Sequence, residues 1–154
     1  KKAEFEYRLK WDDVVYQPGE LKVIAYKGGI KWAEDFMRTT EKASMLTISA
    51  DRPEIKSNGS DLAYITIRIE DKNKLPVPRS SNLINFSIEG PGKIVAVDNG
   101  DATSHDPFQA GYRKAYNGMA LVIVRAEKGA TAPFTVRAES KGLKGASVII
   151  KTLN

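Results

Sequence analysis

The chain has 154 residues, 42% of them apolar, enough to bury one core of ordinary domain size and a smaller remnant. It holds no cysteine, which excludes disulfide staples, a thiolate nucleophile and cysteine-ligated zinc. The formal charge of +5 comes from lysines and arginines scattered among acids along the whole length, so there is no basic block for nucleic acid; nor does any apolar run approach a membrane span.

The chain opens without an initiator methionine, straight into Phe5, Tyr7, Leu9 and Trp11 alternating with Glu4, Glu6, Arg8 and Lys10, and reads as a piece cut from a longer protein. Pro18-Gly19 sets a turn, and residues 21–26 and 30–33 flank Lys27-Gly28-Gly29, a hairpin signal. Three or four strands are expected here, too few to close a sandwich. Residues 1–42 are therefore assigned as a partial β segment, the remnant of a truncated preceding domain with an exposed edge. Trp11 and Trp32 fall on alternating faces that read as buried, or as needing missing strands to bury them. The polar, aperiodic residues 39–44 mark the boundary, placed between 42 and 43.

From Met45 onward a two-residue apolar period dominates. Leu46, Ile48 and Ala50 form one row, and Ala63, Ile65, Ile67 and Ile69 form the clearest. Ile84, Phe86 and Ile88 follow, then residues 94–97, then Ala120, Val122, Val124 and Ala126. Phe134, Val136 and Ala138 make the next row, and Ala146, Val148 and Ile150 the last. Turn clusters separate them at residues 56–60, 71–74, 90–92, 117–118 and 141–142. About seven short strands with regular turns predict an all-β, immunoglobulin-like Greek-key β-sandwich over 43–154. The cysteine pair and core tryptophan of an antibody domain are missing.

The chemistry-bearing residues gather in the long polar loop from Asp98 to Asn117, which holds the only histidine, His105. Ser104, His105 and Asp106 are consecutive, and neighbours in sequence do not present their side chains to one another as a catalytic triad must. Asp98 and Asp101 as a glycosidase pair at roughly 5 Å are sterically conceivable, but acids three apart in an Asn-Gly turn more often cap backbone amides. Calcium, the one cofactor to consider, would take Asp98, Asn99, Asp101 and Asp106 as oxygen ligands, although the spacing departs from the EF-hand template. Anchoring of the loop is the competing reading. A sugar platform would draw on Trp32, Phe108, Tyr112 and Tyr116, of which the two tyrosines flank Arg113-Lys114 and line the loop. Asn58-Gly59-Ser60 is a glycosylation sequon by pattern and a turn by composition.

Two stretches resemble a known family. Residues 90–101, Gly-Pro-Gly-Lys-Ile-Val-Ala-Val-Asp-Asn-Gly-Asp, continue through Ser104-His105-Asp106-Pro107-Phe108 and Arg113-Lys114-Ala115-Tyr116-Asn117-Gly118-Met119-Ala120. They resemble the hallmark of the last β-sandwich in glycoside hydrolase family 2 enzymes of the β-galactosidase type. Residues 11–16 and 18–26, ending near Arg38-Thr39-Thr40, resemble the tail of the small sandwich before it. The resemblance implies a periplasmic or secreted parent that hydrolyses terminal β-galactosides or related β-glycosides by the retaining route, with two glutamates in a barrel. No position here corresponds to either glutamate. It also implies a fragment that is no enzyme in itself, with scaffolding and contacts to the other domains as its work.

The expected function is thus a non-catalytic accessory region of a family 2 hydrolase, with self-association through exposed edge strands as a further contact. A carbohydrate-binding module and a bacterial immunoglobulin-like adhesion domain are the alternatives; tandem repeats, which adhesins show, are missing.

Overall fold

The computed structural model describes residues 8–153. The chain divides into two compact units between Thr39 and Thr40. Hydrogen bonds explain the break: the Thr39 amide donates to the Gly19 carbonyl at 2.8 Å, whereas the Glu41 amide donates to Asp71 Oδ2 at 2.8 Å. Thr39 therefore belongs to the first unit and Glu41 to the second.

The first unit is a hairpin of β1 (Glu20–Lys27) and β2 (Ile30–Arg38), closed by Gly28-Gly29 with positive φ at both positions, the turn whose twist matches its strands. Two strands form among the described residues, fewer than expected. Phe5 and Tyr7 lie outside the described residues, and Leu9 and Trp11 lie outside any strand. Asp12, Asp13 and Pro18 interrupt the alternation there, and Trp11 and Val14 instead line an open depression with Leu21, Val23 and Ile24. A bulge opposite Ala25 and Tyr26 leaves Trp32 as the extra residue of β2. Trp11 and Trp32 are 52% and 73% exposed, so their own unit does not bury them.

The second unit is a sandwich of two sheets. The four-stranded sheet runs β3 (Met45–Ala50), β5 (Leu62–Glu70), β9 (Met119–Ala126), β7 (Gly92–Asp98). The five-stranded sheet runs β4 (Glu54–Lys56), β11 (Ala146–Leu153), β10 (Phe134–Glu139), β6 (Leu83–Glu89), β8 (Tyr112–Lys114). Successive strands β5/β6 and β9/β10 lie in opposite sheets, the connectivity of the expected immunoglobulin-like sandwich. β4 and β8 escape a period-two reading because each has three residues; pairing with β11 and β6 makes them strands.

The inward rows are those of the alternation. Ile65, Ile67 and Ile69 of β5, with Val122 and Val124 of β9 beside them, face Ile84 and Phe86 of β6 and Phe134 and Val136 of β10 in one buried cluster. Each fully buried isoleucine or phenylalanine contributes about 2 kcal/mol by removal of apolar surface from water. Gly92 serves this core by having no side chain: a Cβ there would lie 2.5 Å from the Phe134 ring.

Asp71, in the turn after β5, is the acid that organises the entry to the sandwich. It is fully buried, and its carboxylate accepts the amides of Glu41, Asn73 and Leu75 at 2.8, 2.8 and 3.0 Å. The Glu41 amide foremost, with those of Leu75 and Asn73, outweighs desolvation and holds this carboxyl below its usual range. Its stabilising share is complete above the unfolded carboxylate pKa of about 3.9 and is lost as pH falls through that value toward the lower folded one. Asp71→Ala is expected to lower the thermal midpoint at neutral pH and to leave a shallower decline between about pH 6 and pH 3 than in the unsubstituted chain. Melts followed by circular dichroism across that range check it, and parallel declines in the two proteins would refute the assignment.

Candidate functional site

The loop after β7 is built by its own backbone amides. Asp98 Oδ1 accepts the amides of Asn99 at 2.7 Å and Gly100 at 3.3 Å. Asn99 Oδ1 accepts the Asp101 amide at 2.9 Å while its Nδ2 donates to the Lys114 carbonyl at 3.0 Å, tying the start of the loop to β8. Asp101 Oδ1 then accepts both the Thr103 hydroxyl at 2.7 Å and the Thr103 amide at 2.9 Å, with the hydroxyl the larger reason that its carboxyl sits below the usual range. Further along, the Val97 amide donates to the Phe108 carbonyl and the Phe86 amide to the Gly111 carbonyl, which seats the loop's return against β7 and β6.

Arg113 is the residue on which the loop closes, and its charge gives it the look of a surface residue in the sequence. It is 1% exposed, the largest of the fully buried side chains. Nη1 donates to the Asp106 carbonyl at 2.8 Å, Nη2 lies 3.4 Å from Asp98 Oδ1, and the guanidinium carbon stands 5.3 Å from the centre of the Phe108 ring. Nε makes no hydrogen bond within the described residues. A signal for its burial exists in the chain: Ala115 is an apolar inward position in a strand-like run, and two residues back is Arg113.

Of the expected site residues, Asp98, Asp106 and Phe108 meet at Arg113, through one carboxylate, one carbonyl and one ring. Asp101 turns to Thr103 instead, and His105 is exposed. Among the described residues, no three histidine, aspartate or glutamate side chains gather as a metal site would need. The aromatic residues do not share one surface. Tyr112 pairs with Asn85 on the outward side of the five-stranded sheet, whereas Tyr116 joins Thr66, Asn99, Asn117, Met119 and Leu121 around a shallow depression of about 320 Å³. Trp32 belongs to the other unit.

That depression opens onto the outward face of the four-stranded sheet. Outward positions of a solvated sheet are commonly polar, and the five-stranded sheet is mixed, with Ile149, Leu83 and Leu153 exposed among the ion pairs of Arg137 with Glu89 and Lys151 with Glu54. On the four-stranded sheet β9 points three apolar residues outward in succession, Met119 exposed and Leu121 and Ile123 half-buried, beside Tyr64 of β5 and Ala96 of β7. Met119, Tyr64 and Tyr116 are each more than 40% exposed.

Comparison with known proteins assigns this chain relatives. Residues 46–149 match the family model described as glycoside hydrolase family 2 C-terminal domain 5, and residues 1–33 match a domain of unknown function, DUF4982. Beta-galactosidase BoGH2A of Bacteroides ovatus is 34% identical over 133 residues, 86% of this chain and 16% of that protein. A beta-glucuronidase of Formosa agariphila is 28% identical over 153 residues, 96% of this chain and 15% of that protein. The crystal structure of a glycosyl hydrolase family 2 member from Bacteroides cellulosilyticus superimposes with a TM-score of 0.86 at 33% identity, over 92% of this chain and 18% of the other. The chain thus spans about a sixth of the length of these curated relatives.

Proposed function

Because the chain belongs to glycoside hydrolase family 2, as its C-terminal domain 5, we propose that it is a non-catalytic packing module, with the outward face of the four-stranded sheet seated against another domain of a multidomain β-glycosidase. The apolar strip of Met119, Leu121 and Ile123, with Tyr64 and Tyr116 beside it, carries this reading. A run of outward apolar positions along one strand, facing away from a core already complete, is what an interdomain contact needs. The acids of the loop support the same assignment, since Asp98 and Asp101 spend their lone pairs on the loop's own amides and on Arg113 rather than on a cleft. Hydrolysis of the β-glycosidic bond, by the pair of carboxylates that such chemistry requires, is assigned to the part of the parent outside this chain.

The full-length parent carrying Met119→Lys and Leu121→Lys together tests the packing role. The isolated chain is expected to lose no more than about 1 kcal/mol, since Met119 is exposed and Leu121 only half-buried on the side of β9 away from the core. The parent is expected to lose several degrees in its melting midpoint, because two buried charges replace apolar contact. A parent that melts unchanged, or an isolated chain that loses as much as the parent, refutes the docking face.

A further inference from the structure

The chain contains three Asn-Gly pairs, Asn58-Gly59, Asn99-Gly100 and Asn117-Gly118. We propose that Asn58 is a site of spontaneous deamidation and that the fold selects it over the other two. In this reaction the backbone nitrogen of the following residue gives up its proton to solvent base and attacks the asparagine Cγ. The N–Cγ bond forms, Nδ2 takes a proton from solvent, the Cγ–Nδ2 bond breaks, and Nδ2 leaves as ammonia, closing a succinimide ring. Water then opens the ring at either carbonyl, giving aspartate or isoaspartate. One water enters and one ammonia leaves, with no oxidant or reductant. A glycine in second place favours the attack because no Cβ hinders it.

The structure treats the three pairs differently at each atom that must react. At Asn117-Gly118 the attacking nitrogen is held, for the Gly118 amide donates to the Ser80 carbonyl at 2.9 Å and Gly118 itself is buried, although Asn117 is exposed. At Asn99-Gly100 the Gly100 amide points to Asp98 Oδ1 at 3.3 Å, and the departing Nδ2 is bound to the Lys114 carbonyl at 3.0 Å. At Asn58-Gly59 neither the Gly59 amide nor Asn58 Nδ2 makes a hydrogen bond among the described residues, and Asn58 is exposed. Its Oδ1 accepts three donors, the Ser60 amide at 2.9 Å, the Ser60 hydroxyl at 3.0 Å and the Asp61 amide at 2.8 Å. Those donors surround the oxygen on which negative charge develops when Cγ is attacked, so they polarise the carbonyl and stabilise the tetrahedral intermediate.

The product has a structural consequence. Isoaspartate lengthens the backbone by one methylene in the turn between β4 and β5, where Arg125 Nη1 donates to the Gly59 carbonyl at 3.2 Å and Asp61 accepts the Lys56 amide at 2.8 Å.

The test is to age the full chain for weeks at mildly alkaline pH, digest it with trypsin and measure the amide-to-acid mass change by mass spectrometry. The three pairs fall on separate peptides, spanning residues 57–68, 94–113 and 115–125. The folded chain is expected to change first, and many-fold faster, in the peptide containing Asn58. In concentrated urea the three rates should converge, because the ordering is a property of the fold. Ser60→Ala, which removes one donor from an exposed turn, should slow the reaction at Asn58 several-fold. Asn99 or Asn117 keeping pace with Asn58 in the folded chain, the same ordering persisting in urea, or an unaltered rate in Ser60→Ala overturns the proposal.

Discussion

Arg113→Ala is expected to destabilise the sandwich by about 3 kcal/mol, among the largest effects of any single substitution outside the aliphatic core. The side chain fills the space between the loop and the inner ends of β7 and β8, so its removal leaves a cavity as well as an unpaired Asp106 carbonyl. Charge is the lesser part of its value. Asp98 is 42% exposed and 3.4 Å away, so solvent screens that pair, while the strong hydrogen bond goes to a neutral carbonyl. Arg113→Met separates the two contributions, because it keeps most of the volume and removes every donor. It is expected to cost about 1 kcal/mol, in keeping with the small penalty of replacing buried ionic groups by apolar ones of similar size. Urea titrations of the chain followed by far-ultraviolet circular dichroism, which reads the strands of the sandwich directly, settle the point. Equal losses in the two variants would assign the role to the hydrogen bonds rather than to packing.

Gly118→Ala is expected to cost about 3 kcal/mol, from two causes that act together. The residue has φ +76°, a conformation an alanine adopts only with strain, and a Cβ there would stand 2.4 Å from the Val77 carbonyl oxygen. Backbone cannot step aside as a side chain end can. The turn is also a junction: Gly118 donates to Ser80, its carbonyl accepts the Ile69 amide, and Tyr116 and Met119 exchange both their backbone bonds across it. Gly129, in the same unit, is the internal control, with φ +77° and nothing within 4 Å of its Cβ position. Gly129→Ala should therefore show the conformational cost alone, about 1 kcal/mol. If the two alanine variants lose the same stability in urea titrations, the close approach to Val77 contributes nothing.

The strand rows are legible because burial on one side of a sheet leaves a period of two in the chain itself. Ile65, Ile67 and Ile69, or Phe134, Val136 and Ala138, declare an inward face by their spacing, and each is fully buried. The hairpin at Gly28-Gly29 is legible for a related reason, since a two-residue turn with positive φ at both positions is nearly a signature of glycine. The family resemblance rests on two stretches, and in the one from Gly90 to Ala120 three residues have structural tasks: Gly92 makes room for Phe134, Asn99 binds β8, and Gly118 fits under Val77.

Other features have no local signature. A three-residue strand such as β4 or β8 is defined by the partner that supplies its hydrogen bonds, and that partner lies far along the chain. Asp71 carries charge, which in sequence reads as surface, yet it is buried because the Glu41 amide from a distant segment comes to meet it. The loop acids, grouped by sequence as one site, divide between Arg113 and Thr103 once the chain is folded. Met119, Leu121 and Ile123 alternate as regularly as the core row beside them, so period alone does not tell which side of β9 faces inward. The sequence by itself determined the fold class and the turns, because these depend on neighbours within a few residues. Tertiary structure alone decided the burial of Asp71 and the outward apolar strip of β9, because whether a side chain meets water or protein depends on what the rest of the chain places opposite it.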